Sequence, residues 1–309
     1  MSFTAEIRDE LIRIQENSTH CRTAALAAIL DFSGRTGFAP EGKMRLLLPE
    51  AHDEIVTKCF TLLKKTLNIG STLNLEDSIV IQNQTMVSLL LDASRTDRLL
   101  ELLKTDREQL PEVSPESGIF DRDCCRKTFL RHAFLCTGFI SDPGREYHLE
   151  FDCSRQQQAV LLQELFEPYG IRMKTIMRRR HYMVYSKDSE EILNALTLMG
   201  ASAGMMKMEN SRILKEVRNG VNRRVNCETA NIGKTVEAAG RQREDIEFLR
   251  ESGILEQLPA YLIEAARLRL ENEELSIAEL GKLAEPPVGK SGMNHRLRKL
   301  SEIAQLSRS

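Results

Sequence analysis

Towards the C-terminal end of the chain, apolar residues recur at helical spacing in two short blocks that a pair of prolines separates. Ser276 is a candidate cap for the first block, and Pro286 prevents that helix from continuing much beyond Ala284. Ser291 is a candidate cap for the second block. The pattern predicts two helices joined by a short turn, with apolar stripes made of Ile277, Leu280, Leu283 and Ala284 in the first helix and of Met293, Leu297 and Leu300 in the second.

The polar face of the second predicted helix carries side chains that suit DNA. In a helix-turn-helix, the first helix supports a second helix whose exposed residues enter the major groove. Asn and Arg side chains match adenine and guanine edges, and Asn294 and Arg298 lie on this face. From Pro286 to Ser309 the local net charge is +4, from Lys290, Arg296, Arg298, Lys299 and Arg308 against Glu302 alone. The pattern is equally compatible with a helical hairpin that has a solvated basic face.

The N-terminal third of the chain alternates between helical and strand-like patterns. Residues 1–16 and 21–33 are predicted helices, and Ser2 is a plausible cap for the first. A polar stretch with two prolines and a glycine predicts a linker between Thr105 and Gly118. Between the second helix and this linker, the pattern predicts a strand at Met44–Leu48, a helix at Ala51–Leu67, a strand at Ser78–Gln82 and a helix at Met86–Leu103.

After the linker the pattern begins again at a constant offset of 104 residues. Three predicted elements repeat: helix 122–137 resembles 22–33, strand 147–152 resembles 43–48, and helix 156–167 resembles 52–63. Applied to the following hairpin, this offset places Ser78 over Tyr182. We interpret the repeat as a tandem duplication of an α-β-β-α-β-β-α unit with pseudo-twofold symmetry. Coincidental strand spacing is the alternative.

The rest of the chain is predicted to be helical. A helix over 203–218 is expected to end at Asn219-Gly220, and two further helices are expected at about 234–252 and 259–270. These patterns predict three segments. Residues 1–200 form an α+β domain with halves 1–104 and 119–200, residues 201–221 form a helical linker, and residues 222–309 form an all-α domain.

Composition narrows the class of protein. The chain has 309 residues, of which 41% are hydrophobic and 28% charged, and a net charge of only -2, so any affinity for nucleic acid must come from local patches. One further patch is formed by Arg172, Lys174, Arg178, Arg179 and Arg180, for which a solvated hairpin is the alternative. No apolar run reaches the ~18 residues that a membrane span requires.

The seven cysteines form no CxxC motif and no Cys/His grid along the chain. An odd count also argues against a disulfide scaffold, so we expect a reducing cytoplasmic environment. The adjacent pair Cys124-Cys125 is a candidate redox-active pair, but the favoured interpretation is that these thiols are buried or incidental. The sequence therefore predicts no metal and no cofactor.

Two segments resemble a motif of known enzymes. LAAILDFSG at Leu26–Gly34 and LRHAFLCTG at Leu130–Gly138 are similar to the LAGLIDADG helix of homing endonucleases. In that family the acidic residue before the glycine binds the metal that cuts DNA, but Ser33 and Thr137 stand there in this chain. Mg²⁺ requires hard oxygen ligands such as carboxylates, and Asp31 lies roughly 200° away around the helix. We therefore expect no nuclease activity.

Two C-terminal motifs are more specific. Asn222–Ile246 and Pro286–Ala304, together with the degenerate LAGLIDADG pair, resemble the WhiA family of transcription regulators. The resemblance implies a DNA-binding regulator of sporulation, cell division or chromosome segregation, with a helix-turn-helix similar to sigma-factor region four. It also implies double-stranded DNA as a partner, a WhiB-like regulator or RNA polymerase as further partners, and a cytoplasmic location at the nucleoid rather than at a membrane.

The resemblance places the recognition helix at Ser291–Leu300. Asn294 and Arg298 are then expected to read bases, and His295 has the alternative of a neutral structural role. An interaction scaffold for division or nucleoid proteins, with incidental DNA binding, is the competing function. The expected DNA contacts are Lys290, Ser291, Asn294, His295, Arg296, Arg298 and Lys299, with DNA-backbone contacts from Arg178, Arg179 and Arg180.

Overall fold

A computed structural model describes residues 2–38, 40–50, 53–69, 75–81, 84–108, 110 and 112–308. The chain divides into two compact units, Met1–Leu214 and Lys215–Ser309. The first unit is a mixed α+β structure with two four-stranded sheets, and the second is helical throughout its regular structure.

The first unit consists of two halves that, apart from the additional helix α1 at the start of the first, have the same order of elements around two sheets. The first half comprises α1 (Phe3–Ile12), α2 (Thr19–Ser33), β1 (Arg35–Phe38), β2 (Met44–Pro49), α3 (Asp53–Thr66), β3 (Leu75–Ile81), β4 (Gln84–Leu91) and α4 (Ala93–Leu103). The second comprises α5 (Asp123–Thr137), β5 (Gly138–Ile140), β6 (Leu149–Cys153), α6 (Gln156–Phe166), β7 (Lys174–Arg178), β8 (His181–Ser186) and α7 (Ser189–Met199). The strand orders β1-β2-β4-β3 and β5-β6-β8-β7 are equivalent and antiparallel, so the predicted tandem αββαββα duplication is confirmed.

Helices α2 and α5 pack directly against each other at the centre of the first unit. Small residues permit this approach, since Ala24, Ala28 and Ala133 are fully buried. Each helix ends at a glycine that begins the turn into a strand. A Cβ atom on Gly34 would lie 2.7 Å from the carbonyl oxygen of Leu30, and one on Gly138 would lie 2.7 Å from the carbonyl oxygen of Phe134. These glycines therefore allow the chain to fold back directly from helix to sheet.

The predicted helix at Met86–Leu103 is wrong in its first part. Residues 84–91 form β4, whose Leu46↔Leu89 and Ile81↔Gln84 pairs join it to β2 and β3, and only Ala93–Leu103 is helical. The run MVSLLL is apolar enough for a buried helix or a strand, and periodicity does not separate the two. Asp92 caps α4 and marks the change of structure.

The constant repeat offset is also wrong beyond α3 and α6. His181 begins β8 opposite Arg178, and Gln84 holds the same place in β4 opposite Ile81, so Ser78 is not the counterpart of Tyr182. The first half is longer in this region, since α3 has 14 residues against 11 in α6 and β3 has 7 against 5 in β7. The connection between helix and hairpin, residues 67–74 against 167–173, adds one more residue. Part of that connection, including Gly70 and Asn74, and the predicted helix start at Ala51 lie outside the described residues.

The segment between the halves is irregular, as predicted, but it packs against the core. Leu110, Ile119 and Phe120 are buried. The Phe120 ring meets the Phe129 ring of α5 edge to face, with centroids 5.0 Å apart. The segment therefore contributes to the stability of the first unit.

Helix α8 (Ser202–Glu251) is 50 residues long. The predicted end at Asn219-Gly220 is wrong, since Gly220 lies inside this helix and a Cβ atom there would meet nothing within 4 Å. A single exposed glycine costs a helix only ~1 kcal/mol. The proposed boundary between residues 221 and 222 also lies inside α8 and stays a prediction. The second unit is completed by α9 (Ala260–Glu271), α10 (Ile277–Leu283) and α11 (Lys290–Arg308).

Candidate nucleic-acid interface

Helices α10 and α11 form the helix-turn-helix that the sequence predicts. Ser276 caps α10 through a capping box with Glu279, and the helix ends before Ala284. Helix α11 begins at Lys290, one residue earlier than the predicted cap at Ser291, because Gly289 already offers its carbonyl oxygen to the amide of Met293 at 3.1 Å. Ser291 is therefore in the first turn of the helix.

A glycine in α10 lets the turn pass close to the helix. The amide of Val288 donates to the carbonyl oxygen of Gly281 at 2.9 Å. A Cβ atom on Gly281 would lie 2.3 Å from the carbonyl oxygen of Val288, which is closer than real Cβ contacts occur. Residue 281 must therefore be glycine for α10 and the turn to keep this approach.

The inner face of α11 provides the packing surface of the second unit. Met293, Leu297 and Leu300 are buried, as predicted, and Ala304 continues the stripe by one turn. They contact a core built from α8, α9 and α10 that includes Leu249, Leu262 and Leu280. This burial fixes which face of α11 is presented to solvent.

Six of the seven predicted DNA contacts on α11 lie on the exposed face: Lys290, Ser291, Asn294, His295, Arg298 and Lys299. The Arg298 side chain is 77% exposed, and its Nε donates to a Glu302 carboxylate oxygen at 3.2 Å. The Lys299 ammonium lies 3.7 Å from the same carboxylate. Such exposed pairs are worth at most ~1 kcal/mol, so both cations are available to a phosphate or a base.

Arg296 has a different environment from the other six. Its Nη1 lies 3.0 Å from a carboxylate oxygen of Glu264 on α9, and both side chains are largely shielded from solvent. The guanidinium also lies 5.6 Å from the centroid of the Tyr261 ring. The other oxygen of Glu264 accepts from the amide of Glu285 at 2.7 Å. Arg296 and Glu264 thus tie α11 and the preceding turn to α9.

Two further arginines hold the second unit together. Arg308 pairs with Asp245 of α8 at 2.7 Å and stacks over the Phe248 ring at 4.7 Å. Arg269 is buried and its Nη1 donates to the carbonyl oxygen of Leu275 at 2.9 Å, just before α10. Burial lowers the pKa of Arg269. Of the local positive charge predicted around α11, Arg296 and Arg308 therefore serve internal contacts, which chain order did not reveal.

The predicted DNA-backbone contacts of the first unit lie at the tip of the β7–β8 hairpin. Arg178 pairs with His181 across a two-residue turn, Arg179-Arg180, and all three arginines are exposed. The turn residues have φ of 48° and 69°, a left-handed conformation that favours Asn or Gly. Strain of this kind in bulky side chains is typical of functional positions.

Hydroxyl groups occupy the ends of the central helices where homing endonucleases have acids. The Thr137 hydroxyl donates to the carbonyl oxygen of Ala133 at 3.3 Å, and the Ser33 hydroxyl interacts with the Cys136 thiol. Asp31 is buried and paired with Arg155, while Gln158 donates to its backbone carbonyl at 2.6 Å. Burial raises the Asp31 pKa to about 7, against the opposing effect of Arg155. Asp31 is thus engaged in packing between the halves.

Within the described residues, no helix combines the length and the apolar character needed to cross a membrane. The longest, α8, carries charged side chains throughout its length.

Comparison with known proteins gives a consistent result for both units. Family models match residues 221–304, as the WhiA C-terminal HTH domain, and residues 126–218, as the WhiA LAGLIDADG-like domain. The "Probable cell division protein WhiA" of Lachnospira eligens is 36% identical over 98% of this chain and 96% of its own length. The protein of the same name from Desulforamulus reducens is 39% identical over 100% of this chain and 97% of its own.

One solved structure supports the fold over the whole chain. The crystal structure of full-length DUF199/WhiA from Thermatoga maritima has a TM-score of 0.58 and covers 99% of this chain and 98% of its own, at 24% identity. The relatives, the two matched domains and this fold lead to one conclusion: the chain belongs to the WhiA family.

Proposed function

We propose that the protein is a sequence-specific DNA-binding transcription regulator that reads duplex DNA with α11. The observation that carries the proposal is the division of α11 into a buried apolar stripe and an exposed face, with Asn294 in the second turn and Arg298 and Lys299 at the middle of the helix. An Asn or Arg side chain in this place reaches base edges in the major groove. Lys290 and Lys299 would contact phosphates and set the salt dependence.

Arg296 would act differently from its neighbours. Because it is paired with Glu264, it would position α11 and would not itself contact DNA. The hairpin arginines Arg178, Arg179 and Arg180 would add sequence-independent contacts to the DNA backbone, since such contacts require only accessible positive charge. A single helix-turn-helix reads a short site, so contacts from a second surface would raise the total affinity.

The proposal includes no nuclease activity. Ser33 and Thr137 offer only hydroxyl groups where metal-dependent cleavage requires carboxylates, and Asp31 is held by Arg155 and Gln158. The relatives' name, "Probable cell division protein WhiA", supports cell division as the regulated process, with sporulation or chromosome segregation as the alternatives. A regulator of that process acts at the nucleoid, in the cytoplasm, with RNA polymerase or a WhiB-like regulator as its candidate protein partner.

An interaction scaffold is the second candidate function. It is favoured by exposed apolar residues on α8, where Val217, Val221 and Val225 follow one another at four-residue spacing and are each more than half exposed. Apolar side chains in such a row are typical of helix contacts with other proteins. In this alternative, DNA binding is incidental.

Selection from random duplexes separates the two functions. We expect the full chain to enrich one short sequence motif, and Asn294→Ala together with Arg298→Ala to abolish the enrichment while thermal unfolding stays unchanged. Arg267→Ala is a matched control, because Arg267 is an exposed arginine in a Glu271 pair on α9, like Arg298 with Glu302. Equal binding of all duplexes by the unaltered chain would favour the scaffold.

A further inference from the structure

Four potential metal ligands converge at the start of the two central helices. His20 and Cys21 are the second and third residues of α2, and Cys124 and Cys125 are the second and third residues of α5. The His20 Nδ1 lies 3.2 Å from the Cys125 Sγ, 3.4 Å from the Cys21 Sγ and 3.8 Å from the Cys124 Sγ. All four ligand atoms lie within 4.8 Å of one another.

The three N···S distances are close to those of a tetrahedral zinc site. With Zn–S of about 2.3 Å and Zn–N of about 2.05 Å, tetrahedral angles give N···S edges of about 3.6 Å and S···S edges of about 3.8 Å. The three observed N···S distances fall on both sides of that value. One ion at the centre would therefore reach all four atoms after small side-chain adjustments.

The chemistry of the ligand set also favours zinc. Thiolates and imidazole select soft or borderline ions such as Zn²⁺ and reject Mg²⁺ and Ca²⁺, which prefer oxygen. Cys125 is buried, whereas Cys124 is exposed and leaves a path for the ion, and all seven cysteines are free.

We propose that His20 Nδ1 and the Sγ atoms of Cys21, Cys124 and Cys125 bind one Zn²⁺ ion in a closed structural site that joins the two halves of the first unit. On binding, the three thiols release their protons to solvent and four new metal–ligand bonds form, without any change of oxidation state. Four protein ligands leave no open position, so the ion stabilises the fold and does not catalyse. The site is independent of the proposed DNA-binding function.

The proposed site differs from the expectation that the cysteines form no metal site. That expectation rests on ligands close together along the chain, but here two adjacent pairs meet only because α2 and α5 pack side by side. His20-Cys21 and Cys124-Cys125 occupy the same register of the sequence repeat, so the duplication itself contained the signal.

The test measures metal content and ligand type in the full chain, purified with reductant and without chelator. We expect one equivalent of zinc by mass spectrometry of the metal. After replacement by Co²⁺, we expect thiolate-to-cobalt charge-transfer bands and the visible bands of a tetrahedral ion. Cys124→Ser, at an exposed position, should keep the fold and weaken both signals, and Cys125→Ser should abolish zinc retention. Cys227→Ser, an exposed cysteine on α8, is the matched control and should behave as the unaltered chain does.

Thermal unfolding provides a second readout. A chelator should lower the unfolding midpoint of the unaltered chain and of Cys227→Ser, and it should have a smaller effect on Cys124→Ser. Co²⁺ uptake without thiolate bands, or equal uptake by Cys124→Ser and Cys227→Ser, would overturn the proposal. A Cys21–Cys125 disulfide in the isolated protein, with no metal uptake after its reduction, would overturn it as well and would identify a redox pair instead.

Discussion

Arg296 of α11 is paired with Glu264 of α9, with 3.0 Å between Nη1 and the carboxylate oxygen, and the same carboxylate accepts from the amide of Glu285. One acidic side chain thus fixes both α11 and the turn that precedes it. The orientation of the exposed face of α11 therefore depends on the Arg296–Glu264 ion pair, which is largely shielded from solvent.

A double-mutant cycle on this pair measures how strongly it holds α11. We expect Glu264→Gln and Arg296→Gln each to lower the free energy of unfolding, because each leaves its partner shielded and unpaired. The coupling energy should be about 1–2 kcal/mol. The exposed pair Arg267–Glu271 is the control and should give no more than about 0.5 kcal/mol in the same denaturant titrations. Equal coupling in the two cycles would contradict a positioning role for Arg296.

Gly281 tests the tight approach within the helix-turn-helix. Gly281→Ala places a Cβ atom against the backbone of Val288, so we expect a loss of about 1–3 kcal/mol in the free energy of unfolding and weaker DNA binding. Gly240→Ala makes the same change in α8, where a Cβ atom meets nothing within 4 Å, and should stabilise by up to about 1 kcal/mol. Equal free energies of unfolding for the two variants would contradict the close approach of Val288 to Gly281.

A substitution in the β7–β8 turn should change stability and DNA binding in opposite directions. Replacing Arg179-Arg180 by Asn-Gly matches the left-handed turn, so we expect the free energy of unfolding to rise by about 1–2 kcal/mol. If these arginines contact phosphates, the same change should weaken DNA binding and reduce the salt slope by up to about 2. Lys64→Gln with Lys65→Gln, on α3, removes two exposed charges elsewhere and should leave DNA binding unchanged. Weakened DNA binding of similar size in both variants would indicate only a general charge effect.

His132 and Asp31 give opposite pH dependences of stability. Burial lowers the pKa of His132 to about 4 and raises that of Asp31 to about 7. Neutral His132 therefore contributes on the order of 3 kcal/mol to the free energy of unfolding above pH ~6.5, and this contribution is lost as pH falls towards ~4. The Asp31 contribution is present below pH ~4 and is lost as pH rises towards ~7, so the two slopes largely cancel.

A variant that lacks one of the two groups should show the pH dependence of stability that the other group causes. Asn at position 132 retains a donor for the carbonyl of Thr128, which His132 Nδ1 contacts at 2.8 Å. In His132→Asn the free energy of unfolding should fall as pH rises from about 4 to 7, and in Asp31→Asn it should rise over about 4 to 6.5. Denaturant titrations across this range measure both slopes. Parallel curves for the two variants would contradict the assignment.

The sequence predicted those elements whose signal is local. Helices α10 and α11, the Ser276 cap and the buried stripe of Met293, Leu297 and Leu300 are confirmed. The predicted stripe of α10 is wrong at Leu283, which is the last residue of that helix and is 49% exposed. The duplication is recognisable because a helix, a strand and a second helix repeat at an offset of 104 residues.

The remaining features depend on contacts between residues far apart in the chain. Strand β4 was missed because its apolar run is decided by pairing with β2 and β3. The partner of Arg296 lies 32 residues earlier and has no pattern that marks it. The cluster around His20 joins residues that only tertiary packing brings together.

DNA binding as a function of salt concentration tests the central proposal most directly. Fluorescence anisotropy would compare the selected duplex with a scrambled one for the full chain, for Arg298→Ala and for Arg267→Ala. We expect the full chain and Arg267→Ala to prefer the selected duplex by at least about 10³. Arg298→Ala should lose about 1–3 kcal/mol of that discrimination and keep a steep salt slope. If Arg298→Ala and Arg267→Ala discriminate equally well, or if the full chain prefers neither duplex, α11 does not read DNA sequence.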